Sequence, residues 1–421
     1  MLREQLQALA LCGLSLTNYA LFYLTSILLA RTLSIRDFDD YNVAVSTVLI
    51  LAAIATLGLE KYALRCLPTL SHAKDWSQSQ GFLLFSQRLI VASSVVLVVL
   101  LGVALEGTLA LRGKDYHVAI VIVVLFLPVV ARFQFLLEVV TSYGGQVKAV
   151  AIYRLLFPMA LLILNAVVWI SPAASNAVSA AVCYGAAWII ALAALHVLFK
   201  RQVPTSVWQA KPTRQARRWL LGAWPLAASS LILTMFAQTG IIILELNHPN
   251  ESVVSAYALA FQTGTFVVIL ATATNRLYSP KISQLLASGD FPGLRATAQR
   301  RLLLIGPLSI IFLLLIFIFG RSILAIFGPE FVSAYPALCI IAVGASISTL
   351  FSLAPTYLQF TDRSRSVLSA MVASVMLSLI LCFPLSYYFG ATGAAIAYAI
   401  PISMLYAALR VVAWRDVTRY V

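Results

Sequence analysis

Apolar runs of about 20 residues recur along the whole chain, each closed by a short polar or charged interval. A helix crossing the hydrocarbon core of a bilayer needs about 20 such residues. Runs this long favour helix over strand. The pattern predicts spans near 6–30, 41–64, 82–105, 117–138, 151–170, 177–199, 219–244, 253–275, 301–319, 332–359, 367–389 and 392–413. The intervals carry turn and charge signals, as in Arg31 to Asp40, Arg65 to Gly81 and Ser142 to Lys148. The first run is too long for a signal-peptide core and lacks a small-x-small cleavage pattern, so it is expected to stay as a span.

The longest polar stretch, residues 200–218, divides these spans into two groups of six. It holds Lys200, Arg201, Lys211, Arg214, Arg217 and Arg218 and no acidic residue. Six spans, a basic linker and six more is a plan many transporters share. The expectation is an all-α polytopic membrane protein: an N-terminal six-helix lobe over 1–199, a cytoplasmic linker over 200–218 and a C-terminal six-helix lobe over 219–421.

Composition narrows the classes. Of 421 residues, 61% are hydrophobic and 10% charged, whereas a soluble domain is nearer half apolar and a quarter charged. Twelve spans leave no room for a soluble domain. The net charge of +14 would suggest nucleic acid in a soluble protein. Here the excess of Lys and Arg is what retains loops in the cytoplasm, and no basic stretch is interleaved with aromatics outside the spans. No nucleic-acid partner is expected. Cys12, Cys66, Cys183, Cys339 and Cys382 are scattered with no C-x-x-C, and His72, His117, His196 and His248 are equally dispersed. Neither a disulfide framework, a metal nor a cofactor is expected.

The charges also give an orientation. With the N-terminus inside, cytoplasmic loops and flanks carry Lys61, Arg65, Lys74, Arg88, Lys148, Arg154, the six of the linker, Arg276, Lys281, Arg295, Arg300, Arg301, Arg363, Arg365, Arg410, Arg415 and Arg419. The other side keeps Arg31, Arg36, Arg112, Lys114 and Arg321 among several acids. Both termini are expected in the cytoplasm, which requires an even number of spans. The halves repeat weakly. Leu67-Pro68 and Ser279-Pro280, and Gln87-Arg88 and Gln299-Arg300, are offset by 212 residues, and Tyr41 and Tyr257 by 216. With six spans per half, the repeats point the same way across the membrane.

Several stretches have a familial look. Arg31 to Tyr41 leads into a span that ends Leu57-Gly58-Leu59-Glu60-Lys61 and runs on to Arg65-Cys66-Leu67-Pro68. The second half holds Tyr257-Ala-Leu-Ala260, Ser279-Pro280-Lys-Ile-Ser283, Gly289-Asp290, Ile326 to Phe331, and Gly390 to Ala397. Taken in order, these resemble the polysaccharide exporters, the Wzx-type O-antigen flippases, of the multidrug/oligosaccharidyl-lipid/polysaccharide (MOP) superfamily. The resemblance covers essentially the whole chain, and each motif alone is loose. It implies a twelve-helix, two-lobed fold like that of the MATE transporters, with a central cavity. It also implies alternating access that moves an undecaprenyl-diphosphate-linked oligosaccharide from the inner to the outer leaflet of the bacterial cytoplasmic membrane. Polysaccharide polymerase and chain-length machinery are the protein partners it suggests. Gly390 and Gly393 suit a sharp turn between the last two spans, and Gly393 with Ala397 leaves one helix face small enough for close packing.

Such a cargo needs cations for its phosphates and polar groups for its sugars, and arginine suits phosphate through its planar fork of donors. Arg132 lies about 22 Å into the fourth span at 1.5 Å per residue. An arginine at that depth faces a cavity or a partner; the alternatives are snorkelling to the inner interface or pairing with Glu138. Pro128 is expected to bend this helix. Arg31, Lys61, Arg65, Arg154 and Arg276, near span ends, either ring a cavity mouth or anchor the protein at the interface. Arg88 and Arg300 read as anchors. Asn18, Gln238 and Gln262 are costly facing lipid and are expected to point inward, toward cargo or another helix. Tyr19 and Tyr23, four apart on one face, fit sugar stacking or packing. Glu60 and Glu138 are the candidates for ion coupling. The linker, with Trp208 and Trp219, either lies on anionic lipid headgroups or only sets topology.

Two other classes compete. A drug/cation antiporter of the MATE branch would need an intramembrane carboxylate, and the first span has none between Glu4 and Asp37. A membrane O-antigen polymerase or ligase would need a sizeable outer loop, and none is present. No nucleophile–base pair and no P-loop appears, so no enzymatic chemistry is expected.

Overall fold

The computed structural model describes residues 2–112, 118–170, 175–248, 253–361 and 364–419. Within these, the side chains of 2–9, 12, 105–112, 273, 276, 277, 279, 280, 283, 287, 359, 360, 364 and 416–419 lie outside the description. The described elements are all helical. In order they are α1 (Leu2–Thr32), α2 (Ile35–Ala55), α3 (Leu59–His72), α4 (Trp76–Arg112), α5 (Val118–Leu125), α6 (Leu127–Val140), α7 (Gln146–Ala151), α8 (Phe157–Trp169) and α9 (Ala177–Gln202). There follow α10 (Thr205–Gln209), α11 (Ala216–Asn247), α12 (Val253–Gly264), α13 (Val268–Ala287), α14 (Phe291–Ala325), α15 (Tyr335–Phe351), α16 (Leu353–Phe360) and α17 (Ser364–Arg419). Short π turns join α6, α7 and α8.

Nine stretches of the described residues are long and apolar enough to cross a membrane. Two of them hold two lengths each, because Leu127–Trp169 is interrupted at Gly144 (φ 86°) and Arg365–Arg415 at Gly390 (φ 52°). The pair α12–α13 adds another. The expected twelve lengths are therefore present among the described residues, and the chain is a multi-pass membrane protein.

Several expected spans are broken rather than straight. The second divides between α2 and α3, where Leu57 (φ 51°) and Gly58 (φ 72°) are both left-handed. The eighth divides between α12 and α13, the fourth at Phe126 with Pro128 in the first turn of α6, and the tenth at Ser352. In hydrocarbon a free backbone group costs several kcal/mol, so each break stays hydrogen-bonded. Short i to i−3 bonds take over: Leu57 N–H to Ile54 O, Phe126 N–H to Val123 O, Phe266 N–H to Thr263 O and Ser352 N–H to Thr349 O. The repeat between the halves is visible here in the tyrosine pair offset by 216 residues. Tyr41 on α2 and Tyr257 on α12 each open a broken pair, α2–α3 and α12–α13, and both rings are buried.

The chain packs as two compact units that divide within α11, one of Leu9–Gln238 and the other built on Thr239–Val421. In the first, Phe133, Tyr153, Phe157, Tyr184 and Trp188 form a continuous aromatic cluster. Gly58 admits α11 so closely that a Cβ there would sit 2.6 Å from the Ala223 carbonyl. The basic stretch is not a loose linker. Val203 and Val207 are buried, Trp208 meets Phe199 edge-on, and the Thr213 N–H donates to Ser77 O at the start of α4. Trp219 is buried (1% exposed) against Phe82 and Phe85, so of the two readings of the linker its ring does not supply a headgroup contact.

In the second unit α17 folds into a hairpin at Gly390. Ser374 Oγ donates to Pro401 O at 2.7 Å and Ser378 Oγ to Ala397 O at 2.8 Å, tying one arm to the other. A Cβ at Gly393 would overlap the Leu385 carbonyl. The sharp turn and the close small face expected at these glycines are both present. Gly390→Ala is predicted to lower stability by about 1–3 kcal/mol, because its φ of 52° with ψ of −132° suits glycine almost alone. Thermal unfolding of the detergent-solubilised protein checks this, with Gly102→Ala as a control at a position open around its Cα; equal melting of the two variants would refute it.

Candidate functional site

A polar cavity lies within the first unit, where α3, the start of α4 and the start of α11 meet. Tyr62, Arg65, Cys66, Thr69, Gln78, Arg218 and Gly222 line about 390 Å³. It contains two guanidiniums and no carboxylate. The one hydrogen bond of Arg218 among the described residues is to Gln215 Oε1, at 3.3 Å. Gly222 lies against the Tyr62 ring, which brings α3 and α11 together under the cavity.

Nearby, Lys61 and Glu138 form an ion pair that ties α3 to α6. This decides how Arg132, on the same helix as Glu138, is partnered. Its Nη2 donates to the neutral Gln87 Oε1 at 3.3 Å, and its Nε is buried without a partner. Arg132 therefore has no carboxylate among the described residues. Arg154, on the turn before α8, donates to Ser15 Oγ and to the Leu11 carbonyl (3.4 Å) of α1. Asn18, one turn further along α1, is half-buried with its Oδ1 shielded and unbonded. Glu60 is 4% exposed, and its Oε2 is buried without a partner.

The other sequence candidates are not gathered here. Arg31 is exposed in the last turn of α1, about 24 Å along the helix from Ser15. Tyr19, Tyr23, Gln238 and Gln262 are all half-buried, Gln262 in the second unit. The Arg276 side chain lies outside the described residues.

A sequence profile of the polysaccharide biosynthesis protein family matches residues 7–286. The chain belongs to that family. No curated protein matches it. Over 98% of its length this family member has the fold of solved MOP-superfamily transporters. An inward-facing multidrug-resistance MATE transporter superposes with a TM-score of 0.80 at 11% identity, over 98% of that chain. A transporter from Pyrococcus furiosus, described as having a binding pocket of reverse polarity and a different function, gives 0.68 at 10% identity, over 96%. A MATE protein in complex with MaD5 gives 0.69 at 10%, over 96%. The protein is thus a polysaccharide-biosynthesis membrane protein with a transporter's fold.

Two arginines of this family member sit where their sequence positions do not suggest. Arg218 counted only as a linker charge, yet it lines the cavity. Arg301 counted as a flank charge, yet it is 2% exposed. Its guanidinium donates to Thr274 Oγ1 (3.3 Å), Asn275 Oδ1 (2.9 Å), Ser352 Oγ (2.6 Å) and the carbonyls of Thr349 (3.4 Å) and Leu350 (3.2 Å). Those carbonyls end α15, where the helix dipole favours a cation. The signal available in sequence was Thr274-Asn275 on α13, polar residues inside an apolar span. Arg301→Ala removes five donated bonds from a buried site and is expected to cost about 3 kcal/mol or more. Folded yield and melting temperature should fall well below those of Arg300→Ala, whose side chain is exposed; equal behaviour would refute the role.

Proposed function

We propose that this protein is a flippase that moves an undecaprenyl-diphosphate-linked oligosaccharide repeat unit from the inner to the outer leaflet of the bacterial cytoplasmic membrane. It works by alternating access, with both termini cytoplasmic. The observation that carries the reading is Arg132: an embedded guanidinium whose neighbouring carboxylate, Glu138, is already taken by Lys61. An uncompensated cation in a span is expensive, and a phosphate or sugar acid of the cargo would complete it. The Arg65–Arg218 cavity, without a carboxylate, suits an approaching diphosphate. Asn18 brings a buried unbonded acceptor for a sugar hydroxyl. The polymerase and chain-length machinery are its proposed partners downstream.

In a strain lacking the protein, single lipid-linked repeat units should accumulate on the cytoplasmic leaflet, read by leaflet-resolved lipid analysis. Units reaching the outer leaflet at the normal rate would defeat the flippase reading. Arg132→Ala should insert at the normal level and lower transport by about tenfold or more, with Arg132→Lys intermediate because it keeps the charge and loses the fork. Normal transport in Arg132→Ala would remove this residue from the site.

We also assign ion coupling to Glu60, whose buried, half-unbonded carboxylate sits beside the Leu57–Gly58 break. Glu60→Gln should transport at a rate indifferent to an imposed proton gradient. A variant that responds to the gradient as the native protein does would exclude Glu60.

A further inference from the structure

Within the second unit, two arginines share one aromatic ring. The Arg295 guanidinium carbon lies 5.0 Å and that of Arg410 4.7 Å from the centroid of Trp414. Arg295 stands in the second turn of α14, and Arg410 and Trp414 close to the end of α17. An indole face attracts a cation, but two cations on one ring repel each other. Among the described residues neither guanidinium makes a hydrogen bond or an ion pair.

The two groups border a cleft of about 50 Å³. Its floor is apolar, made by Leu294, Leu353, Ala354 and Ala413, with Tyr357 on the wall. That volume has room for a group of a few atoms. Both guanidinium carbons lie within 5.0 Å of one centroid, so they are no more than about 10 Å apart. A phosphate carries oxygens in several directions, so charge-assisted bonds from two guanidinium forks can converge on one group. Depth agrees as well. Beyond Arg300 and Arg301, α14 runs apolar and lipid-exposed through Leu302, Leu303 and Leu304, and Val411 and Val412 of α17 are likewise exposed. The cluster therefore lies where hydrocarbon gives way to headgroups, the level at which Trp and Arg concentrate.

We propose that the Arg295–Trp414–Arg410 cleft is a binding site for the phosphate of an anionic membrane phospholipid, whose glycerol and first acyl carbons lie on the apolar floor. The site is separate from Arg132 and from the Arg65–Arg218 cavity. It would seat a resident lipid rather than cargo.

The test uses the full-length protein in nanodiscs of phosphatidylcholine with one tenth phosphatidylglycerol, released into native mass spectrometry. The native protein should retain one phosphatidylglycerol in preference to phosphatidylcholine. Arg295→Gln/Arg410→Gln should bind it about tenfold more weakly or worse, while melting unchanged in pure phosphatidylcholine. Equal retention by the two proteins would overturn the site. Displacement of the lipid by millimolar inorganic phosphate would overturn the lipid assignment in favour of a free anion. Should the double variant not fold, quenching by brominated phosphatidylglycerol decides the matter. Quenching in the native protein that is absent in Trp414→Phe supports the site, and identical quenching in both overturns it.

Discussion

Every backbone N–H and C=O that enters hydrocarbon has to be bonded inside the protein. That constraint governs where this chain is allowed to be irregular. Its spans break at Leu57–Gly58, at Phe126, at residues 265–267 and at Ser352, and at each place tighter bonds of the 3-10 type carry the backbone across. Hydroxyls help: Thr56 donates to Ala53 O, Thr265 to Phe261 O and Ser352 to Thr349 O. The breaks then become points where side chains turn inward. Glu60 follows the first, Arg132 follows the second, and the Arg301 network closes over the last.

The same accounting separates two kinds of embedded arginine. Arg301 meets five acceptors and needs nothing more. Bonds from a charged donor contribute about 1.5–3 kcal/mol each, enough together to offset a burial penalty of several kcal/mol. Arg132 has one bond of 3.3 Å to a neutral amide, which does not offset it. The first residue is a staple that holds α14 to α13 and to the end of α15. The second keeps a buried Nε with no partner. Depth in the membrane does not distinguish them; their partners do.

Much of this was legible in the apolar pattern. Span number, the paired halves, the turn at Gly390 and the exporter-like character all follow from run lengths, offsets and ordered motifs. The breaks were less so. A continuous apolar run such as residues 41–64 carries no mark of the Leu57–Gly58 kink beyond one glycine, and α12–α13 runs on to Ala287 through charges that suggested a loop. Partners were the least legible. Lys61 and Glu138 are 77 residues apart, and sequence alone left Glu138 available to Arg132. Trp219, beside two arginines, looks interfacial until α4 covers it with Phe82 and Phe85.

The hairpin of α17 has a bearing on how the chain enters the bilayer. Its arms are sewn together by Ser374 to Pro401 O and Ser378 to Ala397 O. Pro401 has no N–H to give the Ala397 carbonyl one turn back, and Ser378 serves that carbonyl from across the hairpin. An arm inserted by itself would carry these hydroxyls into lipid and would have to turn them back on its own backbone. The two last crossings therefore satisfy each other's polar groups, and Gly390 is the bend that lets them do so.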